Sequence, residues 1–199
     1  KYITIFENQI TKLYEKYKKD EITKAELSKQ VNSILKKEED RFNGLFLKKF
    51  CLDEQNLLEQ ITSNLISKIS RTREIEKQRG KLPEGDLQKN IETAFRSGFY
   101  MHFRDVMNFN GNKYKISLPK KIANYYFIRE FCYGSMFRFN KSGHFNIPYG
   151  GIAYNTKDFR GKVDSIFSDE VKNLFKNTII KNQDFEKIFN GYQFSKNDF

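Results

Sequence analysis

Apolar side chains recur at intervals of three and four residues along most of the chain, which is the pattern of amphipathic helices. The spacing predicts helices over residues 3–18, about 54–78 and about 86–110. Thr23 and Glu26 are spaced as a capping box, which opens a further helix between the first two. The apolar positions of these four helices are Phe6, Ile10, Leu13, Tyr14, Tyr17, Leu27, Val31, Ile34, Leu35, Leu57, Leu58, Ile61, Leu65, Ile66, Ile69, Leu87, Ile91, Ala94, Phe95, Phe99 and Phe103.

The pattern changes in the second half of the chain. Pro119 suits the first turn of a fifth helix, which the apolar residues continue over 120–137. The stretch 138–151, RFNKSGHFNIPYGG, has no helical period and contains three glycines. Within it Lys141-Ser142-Gly143 separates two short extended runs, which predicts a β-hairpin with Gly143 in the left-handed position of a three-residue loop.

Short elements are predicted for the last part of the chain. The apolar residues between 159 and 175 indicate two short helices, residues 177–185 a buried strand, and residues 186–189 a helical turn. A strand with so few partners in the same chain indicates a sheet whose other strands lie elsewhere.

The composition is that of a polar chain able to form one substantial core. Of the 199 residues, 38% are hydrophobic and 31% are charged, and no apolar run approaches the roughly 20 residues that a membrane span needs. The start of the chain lacks the layout of a signal sequence. Cys51 and Cys132 are the only cysteines and there are two histidines. Metal-ligand spacing is therefore absent, and the expected location is a reduced, cytoplasmic one.

The charge balance is strongly basic. The formal net charge is +11 and the sequence pI is about 9.5, which favours polyanionic partners, nucleic acid first. Abundant Lys, Asn, Ile and Phe are also what a low-GC genome produces regardless of function. The charge alone leaves both explanations open.

Asn146-Ile147-Pro148-Tyr149 differs by one residue from the (Asp/Asn/Ser)-Pro-Pro-(Tyr/Phe) loop that carries the catalytic residues of amino-directed DNA methyltransferases. In that loop two prolines fix the backbone so that two oxygens converge on the target amine, and the aromatic side chain stacks on the flipped base. Here Ile147 replaces the first proline, and polar residues rather than an apolar strand precede the motif. The chemistry therefore argues against a catalytic loop.

The stretch 125–151 combines several features in a fixed order. An aromatic-rich helix is followed by Arg138-Phe139-Asn140, by Gly143 in a turn, and by Phe-Asn-Ile-Pro-Tyr-Gly at 145–150. In order and spacing these resemble the DNA-recognition hairpin of Dam-type (alpha-class) DNA adenine-N6 methyltransferases. Segments 90–108 and 177–189 also resemble this family. The resemblance covers residues 90–199 well and the first 80 loosely.

The resemblance implies a site-specific DNA adenine-N6 methyltransferase, which transfers methyl from S-adenosyl-L-methionine to a flipped adenine. Two family motifs are missing, the FxGxG cofactor loop and the DPPY catalytic loop. The chain contains no GxG, and its three prolines are isolated from one another. This chain is therefore expected to have no catalytic residue and no cofactor site, and to be inactive by itself.

The resemblance also implies a domain order. Residues 1–118 would be a helical region whose start continues a Rossmann-like core, 119–156 a target-recognition helix and β-hairpin, and 157–199 helices and a strand leading back into the catalytic core. The predicted fold class is thus mainly α with a β-hairpin, plus a strand/helix remnant of an α/β Rossmann-like methyltransferase core.

Seven residues are predicted to contact DNA. By resemblance Arg138 reads a base, since a guanidinium can bind guanine O6 and N7 together; the alternative is an ion pair with Asp158 or Glu130. Tyr133 is either an aromatic wedge in the duplex or a core side chain. The others are Lys141 and Ser142, as phosphate contacts or a solvated turn, and Asn140, Asn146 and Pro148, of which the last two are expected mainly to shape the hairpin.

Four further positions bear on the site. Gly134 stands where the family commonly has Asn. Met136 is expected to fill core space rather than to contact a thymine methyl group. His102 and His144 are interpreted as structural, because neither lies near a Cys or Asp constellation in the sequence.

Three functions follow from this sequence. The first is the DNA-recognition part of an adenine-N6 methyltransferase, bacterial and of a restriction-modification or solitary system. The second is a non-catalytic DNA-binding or regulatory protein that uses the same hairpin. The third is a helical structural protein whose charge is only genomic bias. The expected partner is double-stranded DNA, with no membrane; the oligomeric state is not indicated.

Overall fold

The computed structural model describes residues 3–37 and 52–196, with side chains in the first helix described from Glu7 onward. The interpretations of Phe6 and Cys51 concern side chains outside the described residues. The chain divides into two compact units, residues 1–157 and residues 158–199.

The first unit is helical. Its elements are α1 (Ile3–Lys18), α2 (Lys24–Lys37), α3 (Glu54–Arg79), α4 (Asp86–Asn108) and α5 (Leu118–Phe131), followed by single 3₁₀ turns at Tyr133–Ser135 and Ile152–Tyr154. The second unit contains α6 (Phe159–Ile166), α7 (Asp169–Lys176) and α8 (Phe185–Gly191). The helices predicted from the apolar period are confirmed, most of them within two residues at each end.

Side-chain caps explain where two of the helices begin. The Thr23 hydroxyl accepts a hydrogen bond from the Glu26 amide (3.2 Å), and the Glu26 carboxylate accepts one from the Thr23 amide (2.7 Å). This is the predicted capping box of α2. Asp53 caps α3 by accepting from the Asn56 amide (3.0 Å), which satisfies one of the donors that a helix start leaves unpaired.

The main core of the first unit lies between α1, α2, α3 and α4. Its buried members come from the four predicted stripes and include Ile10, Leu27, Ile61, Leu65 and Ile91. Each is at most 1% exposed, and burying an aliphatic side chain of this size contributes about 1.5–3 kcal/mol. The core therefore accounts for the packing of these four helices around one apolar centre.

Gly98 allows the closest approach between α3 and α4. A Cβ atom at Gly98 would lie 2.4 Å from the Ile61 Cα and 2.8 Å from the Gln60 carbonyl oxygen. Backbone atoms cannot rotate away as a side chain does, so any larger residue would force the two helices apart. Glycine in the middle of a helix is otherwise unfavourable, and here the packing explains it.

Two partly buried carboxylates hold the ends of α3. Asp53 accepts from the Lys113 ammonium (2.6 Å) and the Tyr114 hydroxyl (3.0 Å), and these bonds lower its pKa to about 2. Burial opposes ionisation of Glu76, but hydrogen bonds from Lys18, Tyr14 and the Leu82 amide together lower its pKa to about 2. Both carboxylates are thus structural anions.

Helix α5 is shorter than predicted. The apolar period suggested a helix over 120–137, but α5 ends at Phe131. Cys132 takes extended backbone angles and forms an antiparallel bridge with Tyr149, and Gly134 has a left-handed φ of 61°. Pairing with residues 148–150 therefore replaces the helical hydrogen bonds after Phe131.

The predicted β-structure is reduced to bridges in the described part of the chain. Instead of a two-stranded hairpin, Phe139 and Phe145 form one isolated antiparallel bridge around the turn. No strand forms over 177–185, where Ile179 is 85% exposed and Ile180 is 74% exposed. A strand needs a neighbour for its backbone groups, and no described residue of this chain provides one.

Candidate nucleic-acid interface

Residues 138–149, which we call the 138–149 loop, alternate between buried and outward side chains along their second half. Phe145 and Ile147 are each 1% exposed and Tyr149 is also buried, whereas Asn146 is partly exposed and Pro148 is exposed. This two-residue period is that of extended backbone lying on a surface. It fixes Asn146 and Pro148 on the side that faces away from the core.

Helix α4 is the support on which the loop rests. The Asn108 side-chain amide clamps Phe145, since its nitrogen donates to the Phe145 carbonyl (3.0 Å) and its oxygen accepts from the Phe145 amide (2.8 Å). Two turns earlier, the buried Tyr100 hydroxyl donates to the Ile147 carbonyl (3.0 Å). Burial raises the pKa of Tyr100, so this hydroxyl stays protonated and able to donate.

The end of α5 holds the loop from the other side. The Tyr133 amide donates to the Pro148 carbonyl (2.9 Å), and the Gly150 amide donates to the Phe131 carbonyl (2.9 Å). Together with the Cys132–Tyr149 bridge, these bonds pair the residues after α5 with the end of the loop.

Contacts around Tyr154 complete the support of the loop. The Tyr154 hydroxyl accepts from the Gly134 amide (3.0 Å), and the Lys157 ammonium lies 3.9 Å from the Tyr154 ring centre. Gly150 packs against the same ring, because a Cβ there would lie 2.4 Å from its atoms. The left-handed φ of Gly134 suits Gly, and Asn tolerates it better than most residues do.

The tip of the loop is a tight turn stabilised by Asn140. The Asn140 side-chain oxygen accepts from the Ser142 amide (3.0 Å) and the His144 amide (2.9 Å). Gly143 has a φ of 75°, which lies in the predicted left-handed region. The Asn140 carboxamide oxygen is therefore occupied within the turn.

Arg138, Lys141 and Ser142 are exposed on this turn. Neither Arg138 nor Lys141 forms an ion pair within the part of the chain that the structure describes. Residues 131–157 contain Arg138, Lys141 and Lys157 and not one Asp or Glu. The loop thus presents a local excess of positive charge, which attracts phosphates.

Two large side chains between α5 and this turn, Tyr133 and Met136, are exposed. Tyr133 is 57% exposed and Met136 is 46% exposed, so Tyr133 is not a core side chain in this structure and the core interpretation of Met136 was wrong. The 3₁₀ turn after α5, which the sequence period did not predict, directs both away from the interior. Phe137, Phe139 and Phe145 contact one another behind the turn.

Both histidines have structural contacts. His102 is fully buried, and its Nδ1 lies 2.8 Å from the Asn56 side-chain oxygen; burial lowers its pKa to about 4. His144 packs edge-on against Phe109, with ring centres 4.9 Å apart.

The described part of the chain shows no Gly-rich cofactor loop. A Gly-rich cofactor loop follows a strand and opens a helix, whereas the sequence has no GxG and the described residues form only isolated bridges. Among those residues, no three His, Cys, Asp or Glu side chains come together as metal ligands. No described helix is long and apolar enough to cross a membrane.

The supporting residues were not predicted from the sequence. The loop support depends on hydrogen bonds between residues 37 to 62 positions apart in the sequence. These bonds are made by Asn108, by Tyr100 and by the Asn155–Thr93 pair (2.9 Å). A weak signal exists at Asn108, since a polar residue at the end of an apolar helix needs a partner. Its partner cannot be read from sequence spacing.

Comparison with known proteins places the chain in a family. The sequence profile of the D12 class N6 adenine-specific DNA methyltransferases matches residues 53–199. The chain is 37% identical over 75 residues to the type II methyltransferase M.CviBI of Paramecium bursaria Chlorella virus NC1A, covering 38% of this chain and 26% of that protein. It is 37% identical over 103 residues to the type II methyltransferase M.MjaIII of Methanocaldococcus jannaschii, covering 50% of this chain and 32% of that protein.

The matched stretches thus span about a third or less of these curated relatives. No solved structure matches the chain. Because the family profile covers the 138–149 loop, its supporting helices α4 and α5 and the whole second unit, the chain belongs to the D12 class N6 adenine-specific DNA methyltransferase family.

Proposed function

We propose that this chain is the DNA-recognition part of a site-specific DNA adenine-N6 methyltransferase of a type II restriction-modification system. The observation that carries the proposal is the 138–149 loop, where Arg138 and Lys141 are exposed, form no ion pair with any described residue, and lie on a turn that α4 and α5 support. The family membership of the chain supports the same function. Residues 119–156 would form the recognition region, with double-stranded DNA as the partner.

The chemistry of methyl transfer is assigned to other residues of the protein. S-adenosyl-L-methionine would supply the methyl group, and the accepting adenine would be flipped out of the duplex. Neither the FxGxG loop nor the DPPY loop occurs in these 199 residues. In this proposal the chain binds and orients the duplex, and by itself it neither binds the cofactor nor methylates DNA.

The seven candidate residues divide into four roles in this proposal. Arg138 reads a base, and Tyr133, which is 57% exposed, is available to wedge into the duplex. Lys141 and Ser142 contact phosphates, which position the protein without reading sequence. Asn140, Asn146 and Pro148 hold the geometry of the loop, and Asn146 has a further part that is argued below.

Binding to duplexes of different sequence tests the division between base reading and phosphate contact. Arg138→Ala should remove the preference for one base, at a cost of about 1–3 kcal/mol on the preferred duplex and little on scrambled duplexes. Lys141→Ala should weaken binding to all duplexes alike. If Arg138→Ala weakens the preferred and scrambled duplexes equally, Arg138 is a phosphate contact and the base-reading role is wrong.

The reading frame around this sequence separates the enzyme from a non-catalytic DNA-binding or regulatory protein. The proposal expects an FxGxG motif upstream and a DPPY motif downstream in frame. A complete protein that binds DNA through the same loop and lacks both motifs would favour the non-catalytic function.

A further inference from the structure

The outward side chains of Arg138 and Asn146 are bonded to each other across the 138–149 loop. The Arg138 Nε donates to the Asn146 side-chain oxygen (3.3 Å), and the Asn146 amide donates to the Arg138 carbonyl (3.2 Å). Arginine only donates hydrogen bonds, so the oxygen of the Asn146 carboxamide must be the atom that faces it. The bond occupies the inner edge of the guanidinium.

The outer end of the same guanidinium is available. Within the described residues of its unit, the hydrogen bond of the Arg138 side chain is made by Nε, and its Nη1 and Nη2 groups have no carboxylate partner. Nη1 and Nη2 are the pair that can approach guanine O6 and N7 end-on, in the plane of the base. Such a bidentate contact depends on the orientation of the guanidinium plane.

Asn146 is itself held more rigidly than an exposed loop residue usually is. Its neighbours Phe145 and Ile147 are both 1% exposed. Phe145 is clamped through its amide and its carbonyl by Asn108, and the Ile147 carbonyl accepts from Tyr100. The backbone on both sides of Asn146 is therefore fixed to α4, and its carboxamide is a well-defined acceptor.

We infer that Asn146 is a positioning residue for Arg138, which orients the guanidinium so that its outer end meets a guanine in the major groove. The inference rests on the proposed function, because it concerns how the same loop selects its DNA site. A long flexible side chain loses rotamer freedom when it binds, and an acceptor that already holds it reduces this loss. Water is excluded when DNA docks, which strengthens the Arg138–Asn146 bond.

A selection from a random duplex library tests the inference on this chain. Wild-type protein, Arg138→Ala, Asn146→Ala, Asn146→Asp and the exposed-amide control Gln88→Ala would be compared for the base preferred at each position. We expect Arg138→Ala to abolish one guanine preference. Asn146→Ala should weaken the preference at that same position by about three- to tenfold, the range expected for freeing one long side chain.

The conservative variant separates orientation from DNA contact. Asn146→Asp keeps the acceptor for Arg138 but adds a negative charge near the phosphates. It should lower affinity for all duplexes while the guanine preference stays at the wild-type level. Gln88 lies exposed in the first turn of α4, so Gln88→Ala should leave both affinity and preference unchanged.

The outcomes distinguish failure of the inference from failure of the proposed function. If Arg138→Ala changes the preference at no position, the base-reading function is wrong and the inference is wrong with it. If Arg138→Ala removes a preference that Asn146→Ala retains, the function stands and the positioning role is overturned. A uniform loss with Asn146→Ala would make Asn146 a phosphate contact instead. Should Asn146→Ala unfold, Asn146→Leu carries the same test with a similar shape and no acceptor.

Discussion

Gly98 and His102 lie one helical turn apart in α4, and each contacts α3. A single substitution at either position tests that contact. Gly98 meets the Ile61 backbone directly. His102 is fully buried and bonded to Asn56 on α3. Both positions therefore report on the contact between α3 and α4, and α4 is also one of the helices on which the loop rests.

Gly98→Ala should destabilise the first unit by about 1–3 kcal/mol, because overpacking against backbone atoms forces the helices apart. Urea unfolding followed by circular dichroism would measure this change. Gly191 offers a control, since a Cβ at Gly191 would have no atom within 4 Å. Gly191→Ala should be neutral or slightly stabilising. Equal stability of Gly98→Ala and the wild type would contradict the close approach of α3 and α4.

The stability of the first unit should fall between pH 7 and pH 5. Burial lowers the pKa of His102 from 6.5 to about 4, against the opposing effect of Asp53 and Asp105. Between these values the unfolded chain binds more protons than the folded one, so the stabilising contribution of neutral His102 is complete above pH 6.5 and is lost as the pH falls toward 4. The loss from pH 7 to pH 5 should be about 2 kcal/mol.

Unfolding of His102→Gln over the same pH range is the control for this prediction. Gln stays neutral, so the variant should be less stable than the wild type at pH 7 but show a flatter pH dependence down to pH 5. Asp53 and Glu76, with pKa values lowered to about 2 from 3.8 and 4.5, lose their contributions only in more acidic solution. A pH dependence unchanged in His102→Gln would assign the effect to another group.

At the scale of elements, the helices were predictable because their signals are local. The apolar stripes and the Thr23–Glu26 capping box lie within a few residues of the backbone they organise. The end of α5 was not predictable in the same way, since the apolar residues continue past Phe131 but Cys132 pairs with Tyr149. The sequence signal for an earlier end of α5 was the Gly134-Ser135 pair. In the structure these two residues have positive φ values of 61° and 51°.

The predicted β-elements, unlike the helices, depend on contacts with residues distant in the sequence. The run after Lys141-Ser142-Gly143 was predicted to be extended, and in the structure it lies with Phe145, Ile147 and Tyr149 on one buried face. Residues 177–185 were predicted as a buried strand from the apolar residues Ile179 and Ile180, but they lie exposed. The difference is the support: the first segment is bonded to α4 and to the end of α5, and the second has no strand to pair with among the described residues. Apolar pattern alone does not supply a partner.

Asn108→Ala should loosen the 138–149 loop while α4 remains helical. The substitution leaves the Phe145 amide and carbonyl without their partner, and a buried unsatisfied group costs about 1–3 kcal/mol. Hydrogen exchange at the Phe145 amide should accelerate, and DNA affinity should fall because the loop is no longer held in one conformation. Gln88→Ala on the same helix is the control. Unchanged exchange at Phe145 would show that the clamp does not hold the loop.

At the scale of the whole molecule, the positive charge is unevenly distributed along the chain, which the composition alone could not show. The net charge of +11 suggested either nucleic acid or genomic bias. Residues 131–157 contain three basic residues and no acidic one, whereas much of the remaining basic surface is interspersed with carboxylates, as in the Arg73–Asp20 and Arg96–Glu92 pairs. The local excess therefore coincides with the loop that the family resemblance singled out.

Binding of this chain to duplex DNA should weaken steeply as salt rises, because cations on the protein replace the counterions of the phosphates. Each phosphate contact contributes about 0.9 to the slope of log affinity against log salt, so a fourfold rise in salt costs about 3.5-fold per contact. Lys141→Ala should lower the slope by about one contact. Lys29, exposed on α2, provides the charge-matched control, and Lys29→Ala should leave the slope unchanged. If both variants lower the slope equally, binding follows total charge and not the 138–149 loop, and if the wild-type affinity does not vary with salt, phosphate contacts do not hold the chain on DNA.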